Sequence, residues 1–377
     1  MLFQKQTDMK IGVLKETQSN EKRVAVTPKI AKDYIDKGYE ILVEKNAGLA
    51  SSFTDEDYKK NGVKIVDKDT IFKDADVIVK INPLSDQEIE KLRNGQIVIS
   101  MVYHRLHPET VKKIAQKGTT LFSMDAIPRI SRAQNMDVLS SQSNLAGYKA
   151  VILGADEMTK IFPLMMTAAG TITPAKVLIY GVGVAGLQAI ATAKRLGAIV
   201  EATDVRPETK EQAESLGAKF ISVEDKELEN ISEGGYAKEA SKEFLEKQKE
   251  AVNKSLFDAD LVVTTALVQG SKAPVLIKED QIKQMKRGAV IVDMAVEKGG
   301  NVELSEPDKT VEKYGVKIIG KTNLPSTLAT NASELYAKNL YNFITFMSDK
   351  DKFNFDMEEE ITKGTLLAKD GKILIEN

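Results

Sequence analysis

The chain has 377 residues, which is long for a single hydrophobic core and predicts two domains. Hydrophobic residues make up 42% of it and charged residues 29%, as is ordinary for a globular protein, and the formal net charge of −2 gives no support for binding to nucleic acid or to a membrane surface. The absence of cysteine excludes disulfides, thiolate metal sites and a cysteine nucleophile.

The sequence shows no sign of a membrane-spanning or secretory segment. No uncharged apolar run approaches the roughly 20 residues that cross a bilayer. The first eight residues are too short and too polar for a signal peptide, and the first strand begins near Met9. We therefore expect a cytoplasmic protein in which residues 1–8 are a dispensable extension.

The first third of the chain predicts an alternation of strands and helices. Short runs rich in Val and Ile predict buried strands at residues 11–14, 40–44, 77–81 and 97–101. Between the first two strands, residues 28–37 predict a helix that Thr27 caps and Pro28 begins. This alternation predicts a parallel sheet with helices on both faces, so the fold class is α/β.

A polar segment at residues 128–148 follows this first unit. Its Arg129, Gln134, Asp137 and Ser140 supply the donors and acceptors that orienting a nicotinamide carboxamide requires. The same residues are also compatible with a capped helix start that has Asp137 or Ser140 in its first turn. Both interpretations remain open from the residues alone.

Two long helices are predicted to cross between the two predicted domains, which we call the first and second lobes. The first covers residues 143–160, where Leu145, Tyr148 and Ile152 recur at helical spacing. The second, at residues 331–347, follows the last strand of the second lobe and returns the tail to the first lobe.

A glycine motif follows the first of these helices. An apolar run at residues 177–180 leads into Gly181, Gly183 and Gly186, then into a helical stretch and a second strand at residues 199–203. Gly181 allows a tight turn, Gly183 lets the backbone approach a pyrophosphate, and Gly186 lets helix and strand pack closely. The free N–H groups at the helix start would then face the phosphates.

The second strand of this motif ends on an acidic residue. Asp204 lies 18 residues after Gly186, where a carboxylate accepts hydrogen bonds from the adenosine ribose hydroxyls. Arg206 would favour the 2′-phosphate of NADP, but the neighbouring carboxylate repels that phosphate. The motif therefore predicts NAD(H) as the nucleotide bound by this chain.

The two halves of the chain resemble each other. Residues 74–79 are echoed by residues 258–263, and residues 92–99 by residues 285–292. Two Rossmann-like lobes would produce this repeat, and because only the second carries the glycine motif, we expect chemistry in a cleft between them. The expected domains are a discontinuous first lobe of residues 9–143 and 330–377, and a second lobe of residues 144–329.

Residues 224–255 are rich in Glu and Lys and are interrupted by Gly235 and Tyr236. They predict either a solvated helical insert or a mobile loop near residues 230–240 that closes over the bound nucleotide.

The polar segment, the glycine motif and the sequence Thr-Asp-Val-Arg at residues 203–206 together resemble the NAD(H)-binding component of proton-translocating nicotinamide nucleotide transhydrogenase, from about Met9 to the C-terminus. The resemblance implies that Arg129, Asp137 and Ser140 hold the nicotinamide ring and that Gln134 reaches toward NADP(H) on a partner. It implies that Gly235 and Tyr236 belong to a mobile loop over the nucleotide. The further residues expected to contact the nucleotide are Ile130, Ser131, Asn135, Met136, Val182, Val184, Val205, Arg206, Gln248, Thr265, Ala266 and Leu267.

The resemblance also implies a set of partners. They are a second copy of the chain, an NADP(H)-binding beta subunit and the membrane-spanning second portion of a split alpha subunit, and none is a nucleic acid. The implied reaction is direct hydride transfer between NAD(H) here and NADP(H) on the partner, coupled to proton translocation by the membrane partners. The chain would then be cytoplasmic and peripherally attached to the inner membrane.

Alanine dehydrogenase shares this fold and is the main alternative. Its substrate arginine and lysine have counterparts in Arg23 and Lys80, but its catalytic histidine position falls on Tyr103, with His104 one place later, and its catalytic aspartate is Glu297. Reducing an imine or keto acid needs a positioned proton donor, whereas hydride exchange between two nicotinamide rings needs none. These two departures favour transhydrogenase. A third alternative is a non-catalytic NAD-binding module.

The only histidines of the chain, His104 and His107, lie three residues apart before Pro108. No further ligands occur at metal-binding spacing, so these residues predict a turn at a strand end and no metal site.

Overall fold

In the computed structural model, the described residues are 9–222, 242–267, 272–349 and 352–375. The chain divides into two compact units. Unit 1 consists of Met1–Gln142 and Pro325–Asn377, and unit 2 of Ser143–Leu324. The predicted loop near residues 230–240, with Gly235 and Tyr236, lies outside the described residues.

The strands are short, and most of those in the parallel sheets are rich in Val and Ile, as is usual where both faces of a sheet are covered. In chain order they are β1 (Lys10–Val13), β2 (Glu40–Glu44), β3 (Lys64–Val66), β4 (Val77–Val79), β5 (Ile97–Ser100), β6 (Thr120–Ser123), β7 (Met165–Thr167), β8 (Gly170–Ile172), β9 (Lys176–Tyr180), β10 (Ile199–Thr203), β11 (Lys219–Phe220), β12 (Leu261–Thr264), β13 (Val290–Asp293), β14 (Thr310–Lys313), β15 (Val316–Ile319), β16 (Ser348–Asp349), β17 (Lys352–Phe353), β18 (Leu366–Lys369) and β19 (Lys372–Ile373).

The α-helices alternate with these strands. In chain order they are α1 (Pro28–Asp36), α2 (Asp55–Lys59), α3 (Lys68–Asp74), α4 (Asp86–Glu90), α5 (Pro108–Gln116), α6 (Val138–Glu157), α7 (Val184–Arg195), α8 (Thr209–Ser215), α9 (Lys242–Asp258), α10 (Glu279–Ile282), α11 (Ala329–Met347) and α12 (Glu360–Thr365).

Each unit is built on its own sheet. Within the described residues, unit 1 has strand order β19-β18-β6-β5-β4-β1-β2-β3, with β1 to β6 parallel and the last two strands antiparallel at one edge. Unit 2 has the order β11-β10-β9-β12-β13-β15-β14, parallel except for β14. Separate clusters of buried apolar side chains draw on alternate residues of the same strands, so both faces of each sheet are covered. The α/β fold class with two mostly parallel sheets is confirmed.

The six parallel strands of both units follow the same spatial order. When only the parallel strands of each sheet are numbered in chain order, that order is 3-2-1-4-5-6, the order of the dinucleotide-binding fold. The sequence repeat falls at equivalent places: the Asp76 carboxylate accepts from the Lys10 N–H at 2.9 Å, and the Asp260 carboxylate accepts from the Lys176 N–H at 2.8 Å. The internal repeat of the sequence is therefore also a repeat of local structure.

The predicted elements of unit 1 are confirmed, with shorter ends. Ile81 and Met101 lie beyond the ends of β4 and β5. Helix α1 begins at Pro28, and the Thr27 hydroxyl accepts a hydrogen bond from the Ile30 N–H at 3.5 Å, as expected of its cap.

Helix α6 is confirmed as a long helix, but its predicted start was wrong. It begins at Val138 rather than residue 143, and Tyr148 is 40% exposed. Small residues, among them Ala146, Gly147 and Ala150, make up much of its buried face, and Gly147 lies against the backbone of α7. A Cβ on Gly147 would lie 2.0 Å from the carbonyl oxygen of Ala185. Helix α11 also begins two residues before its predicted start, at Ala329.

None of the helices in the four described stretches combines the length and apolar composition needed to cross a membrane.

Candidate nucleotide-binding site

The glycine motif adopts the tight geometry that its spacing predicts. Gly181 has a φ of +91°, which favours glycine, and a Cβ on Gly186 would lie 1.9 Å from the Gly181 carbonyl oxygen. In contrast, a Cβ on Gly183 would have open space, with only an Arg206 guanidinium nitrogen at 4.0 Å. Gly183 precedes α7 and offers no side-chain cap, so the first N–H groups of α7 remain available to an anion.

Asp204 lies beside this turn at the end of β10. One carboxylate oxygen accepts the Val182 N–H at 2.6 Å and an Arg206 guanidinium N–H at 2.9 Å, and the other accepts the Arg206 main-chain N–H at 2.9 Å and its Nε at 3.0 Å. Burial alone would raise the pKa of Asp204, but these hydrogen bonds lower it below its ordinary value. The group is therefore a fixed negative charge at the position predicted for a ribose contact.

The other residues predicted around the turn differ in accessibility. The Val182 side chain is in the core of unit 2, so that residue contributes through its main chain. Val184 is 39% exposed and Val205 is 96% exposed. Both can be reached by a ligand that lies on the turn.

The end of β12 lies next to the glycine turn. The Thr265 hydroxyl is 3.1 Å from the carbonyl oxygens of both Tyr180 and Gly181. A Cβ on Gly181 would lie 2.5 Å from that hydroxyl. Ala266 is held by Asn301, and the side chain of Leu267 is 59% exposed. Three of the predicted contact residues thus line one side of the turn.

Gln248 lies on α9, where its side-chain amide donates to the Ile221 carbonyl at 2.9 Å. These two residues stand on either side of the predicted mobile loop in the sequence, so the bond joins the chain before the loop to the chain after it. Gly235 and Tyr236 themselves lie outside the described residues.

The polar segment of unit 1 forms a short 3-10 helix, Ser131–Met136, followed directly by α6. Asp137 accepts hydrogen bonds from the Ser140 N–H at 2.9 Å and the Ser140 hydroxyl at 2.6 Å. These bonds are those of a helix cap, as the second of the two interpretations expects, and the orienting of a nicotinamide by the same residues stays a prediction. Capping also explains why α6 begins at Val138.

Several of these side chains are accessible while others are not. Arg129 and Gln134 are exposed, as are Ser131 and Asn135, and Ile130 is half-buried. The guanidinium of Arg129 makes no ion pair within the described stretches. Met136 is buried in the core of unit 1 and can reach a nucleotide only through its main chain.

Other residues of unit 1 hold this segment in place. The Asn135 carbonyl accepts hydrogen bonds from the side-chain amides of Asn339 at 2.8 Å and Asn342 at 2.9 Å, both on α11. Arg132 forms ion pairs with Glu359 and Glu360, at 2.8 and 2.9 Å. Asn339 and Asn342 were not identified from the sequence, because nothing in a regular helical pattern marks an amide that contacts a distant loop.

The two counterparts of the alanine dehydrogenase substrate residues have separate carboxylate partners. Arg23 is 4% exposed and forms a two-point ion pair with Glu21, at 2.6 and 2.8 Å. Lys80 is 1% exposed and pairs with Glu88 at 2.8 Å. Each buried cation is thus already neutralised by a neighbouring acid.

The two positions that differ from alanine dehydrogenase also have defined surroundings. Tyr103 has a φ of +49°, and its N–H and that of Val102 both donate to one oxygen of Asp125, at 3.1 and 2.8 Å. Strand β5 ends at Ser100, so His104 lies in a turn and not on an extended strand. Glu297 is exposed, in the short 3-10 helix Val296–Lys298.

The described residues contain no group of three or more side chains of the metal-ligating types His, Cys, Asp and Glu close enough to hold a metal ion. His107 instead stands just before Pro108 at the start of α5.

The predicted site residues thus lie in two sets. One set surrounds the glycine turn of unit 2, and the other forms the capped segment of unit 1. Sequence reasoning missed Gly147, Asp293 and Asn301, which shape the first set. The sequence does mark Asp293 and Asn301: Asp293 is a polar residue at the end of a buried strand, and Asn301 follows the glycine pair at residues 299–300.

Two models of one protein family match consecutive parts of the chain. Residues 12–146 match the family model described as alanine dehydrogenase/PNT, N-terminal domain, and residues 150–376 match the corresponding C-terminal domain. The chain belongs to the alanine dehydrogenase/PNT family.

Within this family, the chain is similar to transhydrogenases over almost its whole length. It is 49% identical to the first portion of NAD(P) transhydrogenase subunit alpha of Rhodospirillum rubrum, across 97% of this chain and 98% of that protein. A crystal structure of transhydrogenase from Sinorhizobium meliloti superposes with a TM-score of 0.88 at 44% identity, covering 97% of this chain and 99% of that one. The resemblance seen in the sequence is confirmed. By comparison, alanine dehydrogenase of Bacillus subtilis is 30% identical over 89% of this chain and 86% of that protein.

Proposed function

We propose that this chain is the NAD(H)-binding component of a proton-translocating transhydrogenase. The observation that carries the proposal is the glycine turn of unit 2 with the buried Asp204 carboxylate hydrogen-bonded to its Val182 N–H. Turn, helix start and acid form the three contacts that a dinucleotide with a free 2′-hydroxyl requires. The similarity to the first portion of transhydrogenase subunit alpha supports this choice among NAD-binding proteins.

Each set of residues has a role in this proposal. The N–H groups at the start of α7 bind the pyrophosphate, and Asp204 binds the adenosine ribose. Residues 265–267 lie on the nicotinamide side, and Arg129, Gln134, Asp137 and Ser140 orient the ring. The bound nucleotide supplies a hydride at its nicotinamide C4.

The chain's own contribution is positioning. Holding two reacting rings in near-contact geometry removes much of the entropic barrier to a bimolecular step. No proton transfer accompanies exchange of a hydride between two nicotinamide rings, so the presence of Tyr103 and Glu297 at the acid–base positions of alanine dehydrogenase is no obstacle.

The alternative, alanine dehydrogenase, is less well supported. Binding the carboxylate of a 2-oxo acid requires a cation that is free to accept it. Arg23 and Lys80 are already paired with Glu21 and Glu88. Burying a further anion beside these neutralised pairs would leave a net negative charge out of water, which is strongly unfavourable.

One experiment separates the three functions. The purified chain is titrated with NADH, then assayed for alanine oxidation, and then assayed for hydride exchange after addition of an NADP(H)-binding transhydrogenase beta subunit. We expect NADH binding, no alanine oxidation, and exchange only with the partner. Alanine oxidation by the chain alone would establish alanine dehydrogenase, and binding without exchange in the reconstituted system would establish a non-catalytic module.

The partners follow from the same proposal. The name of the relative marks that protein as one portion of a subunit, alpha, within a larger enzyme. We propose that this chain likewise works with an NADP(H)-binding beta subunit and the membrane-spanning second portion of the alpha subunit, and that these partners hold it at the cytoplasmic face of the inner membrane. Proton translocation is then the work of the membrane partners.

A second copy of the chain is the remaining proposed partner, and the hairpin of β7 and β8 supports it. All six strand residues of this hairpin are exposed, and Met166 is 77% and Leu164 54% exposed. Large apolar side chains on a projecting hairpin are costly in water and typical of an interface. Light scattering should show a dimer, and Met166→Asp should shift it toward monomer. A monomeric wild-type chain would rule this partner out.

A further inference from the structure

The side chain of Asn301 clamps the end of β12. It is fully buried, and its amide makes three hydrogen bonds to main-chain groups. The amide oxygen accepts the Ala266 N–H at 3.0 Å, and the amide nitrogen donates to the carbonyls of Ala266 at 2.9 Å and Pro274 at 2.8 Å. The Asn301 side chain thus bonds to both the N–H and the carbonyl of Ala266. A neighbouring β-strand would satisfy the same two main-chain groups.

Asn301 is itself held by a buried carboxylate. Asp293, at the end of β13, is fully buried and accepts the Asn301 N–H at 3.2 Å. The same carboxylate accepts hydrogen bonds from the Thr264 hydroxyl at 3.2 Å and the Ala295 N–H at 2.9 Å. Gly300, with a φ of +81°, passes so close that a Cβ there would lie 2.7 Å from Asp293. The backbone at Gly300 therefore lies against the Asp293 carboxylate, which fixes the direction of the Asn301 side chain.

The strand end that Asn301 clamps has a defined place beside the candidate nucleotide. Strand β9, which leads into the glycine turn, lies between β10 and β12 in the sheet. Asp204 at the end of β10 marks the adenosine side. The other half of a dinucleotide that crosses the turn must then extend over the end of β12, where Ala266 and Leu267 lie.

We propose that Asn301 is a positioning residue for the nicotinamide half of the nucleotide. It acts through the main chain of Ala266 and the exposed Leu267 and does not touch the ligand. This role rests on the proposed NAD(H) site. It differs from the role of the glycine turn and Asp204, which serve the pyrophosphate and the adenosine.

The proposal is tested by comparing NADH with ADP-ribose, a ligand that lacks the nicotinamide half. Asn301→Asp keeps the size of the side chain but removes both donated hydrogen bonds, and Asn301→Ala removes all three. For each variant the dissociation constants of NADH and of ADP-ribose, which lacks the nicotinamide, are measured by calorimetry. We expect NADH affinity to fall about tenfold, because Ala266 and Leu267 lose the position that favours the nicotinamide half. ADP-ribose affinity should stay within about twofold of wild type.

Gln281→Ala is the matched control. Gln281 is also a buried amide of unit 2, and it bonds to the Asn253 side chain at 2.7 Å and to the Lys278 N–H at 2.8 Å. Its loss should lower the melting temperature and leave the affinities of both ligands unchanged. Equal weakening of NADH and ADP-ribose in the Asn301 variants would show a merely structural role and overturn the proposal.

A measurement on the wild-type chain covers the case in which the variants do not fold. Amide hydrogen exchange at Ala266 and Leu267 is followed with NADH and with ADP-ribose. NADH should slow exchange at Leu267 more than ADP-ribose does, and equal protection would contradict the inference. If the wild-type chain bound neither ligand, the proposed NAD(H) site itself would be wrong.

Discussion

The Arg206 guanidinium donates two hydrogen bonds to the Asp204 carboxylate, at 2.9 and 3.0 Å. With the two main-chain donors, all of the roughly four acceptor positions of the carboxylate are used. A ribose hydroxyl can bond to Asp204 only if Arg206 withdraws. Because the Arg206 side chain is 52% exposed, its ion pair contributes little free energy and can be exchanged readily for the ligand.

This arrangement predicts how nucleotide preference can be changed. Wild type should bind NAD(H) far better than NADP(H), because a 2′-phosphate would face the Asp204 carboxylate. Asp204→Ala should narrow that gap by about tenfold or more, since it removes the repulsion and frees Arg206 to pair with the phosphate. Equilibrium dialysis of both nucleotides measures the change.

The double variant Asp204→Ala with Arg206→Ala is the control for this prediction. It should lose the gain in NADP(H) affinity while keeping the loss in NAD(H) affinity. Comparable affinities of the wild type for the two nucleotides would disprove the assigned role of Asp204.

A second prediction concerns the close contact of α6 with α7. Gly147→Ala should destabilise the chain by about 1–3 kcal/mol, the usual cost of overpacking, because its Cβ would lie 2.0 Å from the Ala185 carbonyl oxygen. Since Ala185 is in the first turn of α7, nucleotide binding should weaken as well. Urea unfolding and NADH titration measure the two effects.

Asn144→Ala is the matched change on the same helix, at an exposed position. Alanine has the higher helix propensity, so stability should be equal or slightly greater, and NADH binding should not change. If Gly147→Ala behaved like Asn144→Ala, the close approach of the two helices would be wrong.

A third prediction separates binding from transfer in the capped segment of unit 1. Gln134→Ala should reduce the rate of hydride transfer to the partner's nucleotide more than it reduces NADH affinity. A misplacement of about 1 Å between reacting rings costs on the order of a hundredfold in rate. Stopped-flow measurement of transfer in the reconstituted system, beside a separate NADH titration, tests this.

Arg129→Ala provides the contrast. It removes an exposed charged donor from the same segment, so NADH affinity should fall together with the transfer rate. If Gln134→Ala lowered the transfer rate and the NADH affinity by the same factor, Gln134 would be a structural residue of the segment.

A fourth prediction concerns acid stability. Glu16 and Glu21 both accept a hydrogen bond from the Asn82 side chain at 3.0 Å, yet their pKa values shift in opposite directions. Burial raises the pKa of Glu16. Burial alone would also raise that of Glu21, but the hydrogen bonds and charge of Arg23 lower its pKa to about 2. Only Glu21 has a guanidinium bound to it directly.

The sign of the pH effect follows from this lowered value. Glu21 stabilises the folded chain fully above its unfolded pKa of about 4.3, and this contribution is lost as the pH falls toward 2. Its size is on the order of 3 kcal/mol. Urea unfolding between pH 7 and pH 2.5 should show that Glu21→Gln removes this portion of the pH dependence.

Glu56→Gln is the control for the pH series, since Glu56 is 69% exposed and its ion pair with Lys59 lies on the surface. Glu56→Gln should leave the loss of unfolding free energy at low pH unchanged. If Glu21→Gln also left that loss unchanged, the lowered pKa of Glu21 would be contradicted.

The sequence was a good guide where a local pattern has a single structural meaning. The glycine spacing predicted the turn of Gly181 and the contact of Gly186, and Thr27 predicted the start of α1. It was a poor guide where distant groups meet. The helical spacing of Leu145, Tyr148 and Ile152 predicted that α6 is a helix, but it did not predict that Gly147 would lie against the backbone of α7, where a Cβ would come within 2.0 Å of the Ala185 carbonyl oxygen.

The amino-acid sequence by itself determined the α/β class, the repeat of two mostly parallel sheets, and the family, because hydrophobic periodicity and glycine position act over a few residues. Only the tertiary structure decided which side chains are free. It showed that Arg206 holds Asp204, that Glu21 and Glu88 neutralise Arg23 and Lys80, and that Asn301 fixes Ala266. These partners are set by which strand ends and helices meet in the folded chain. No spacing along the sequence records that meeting.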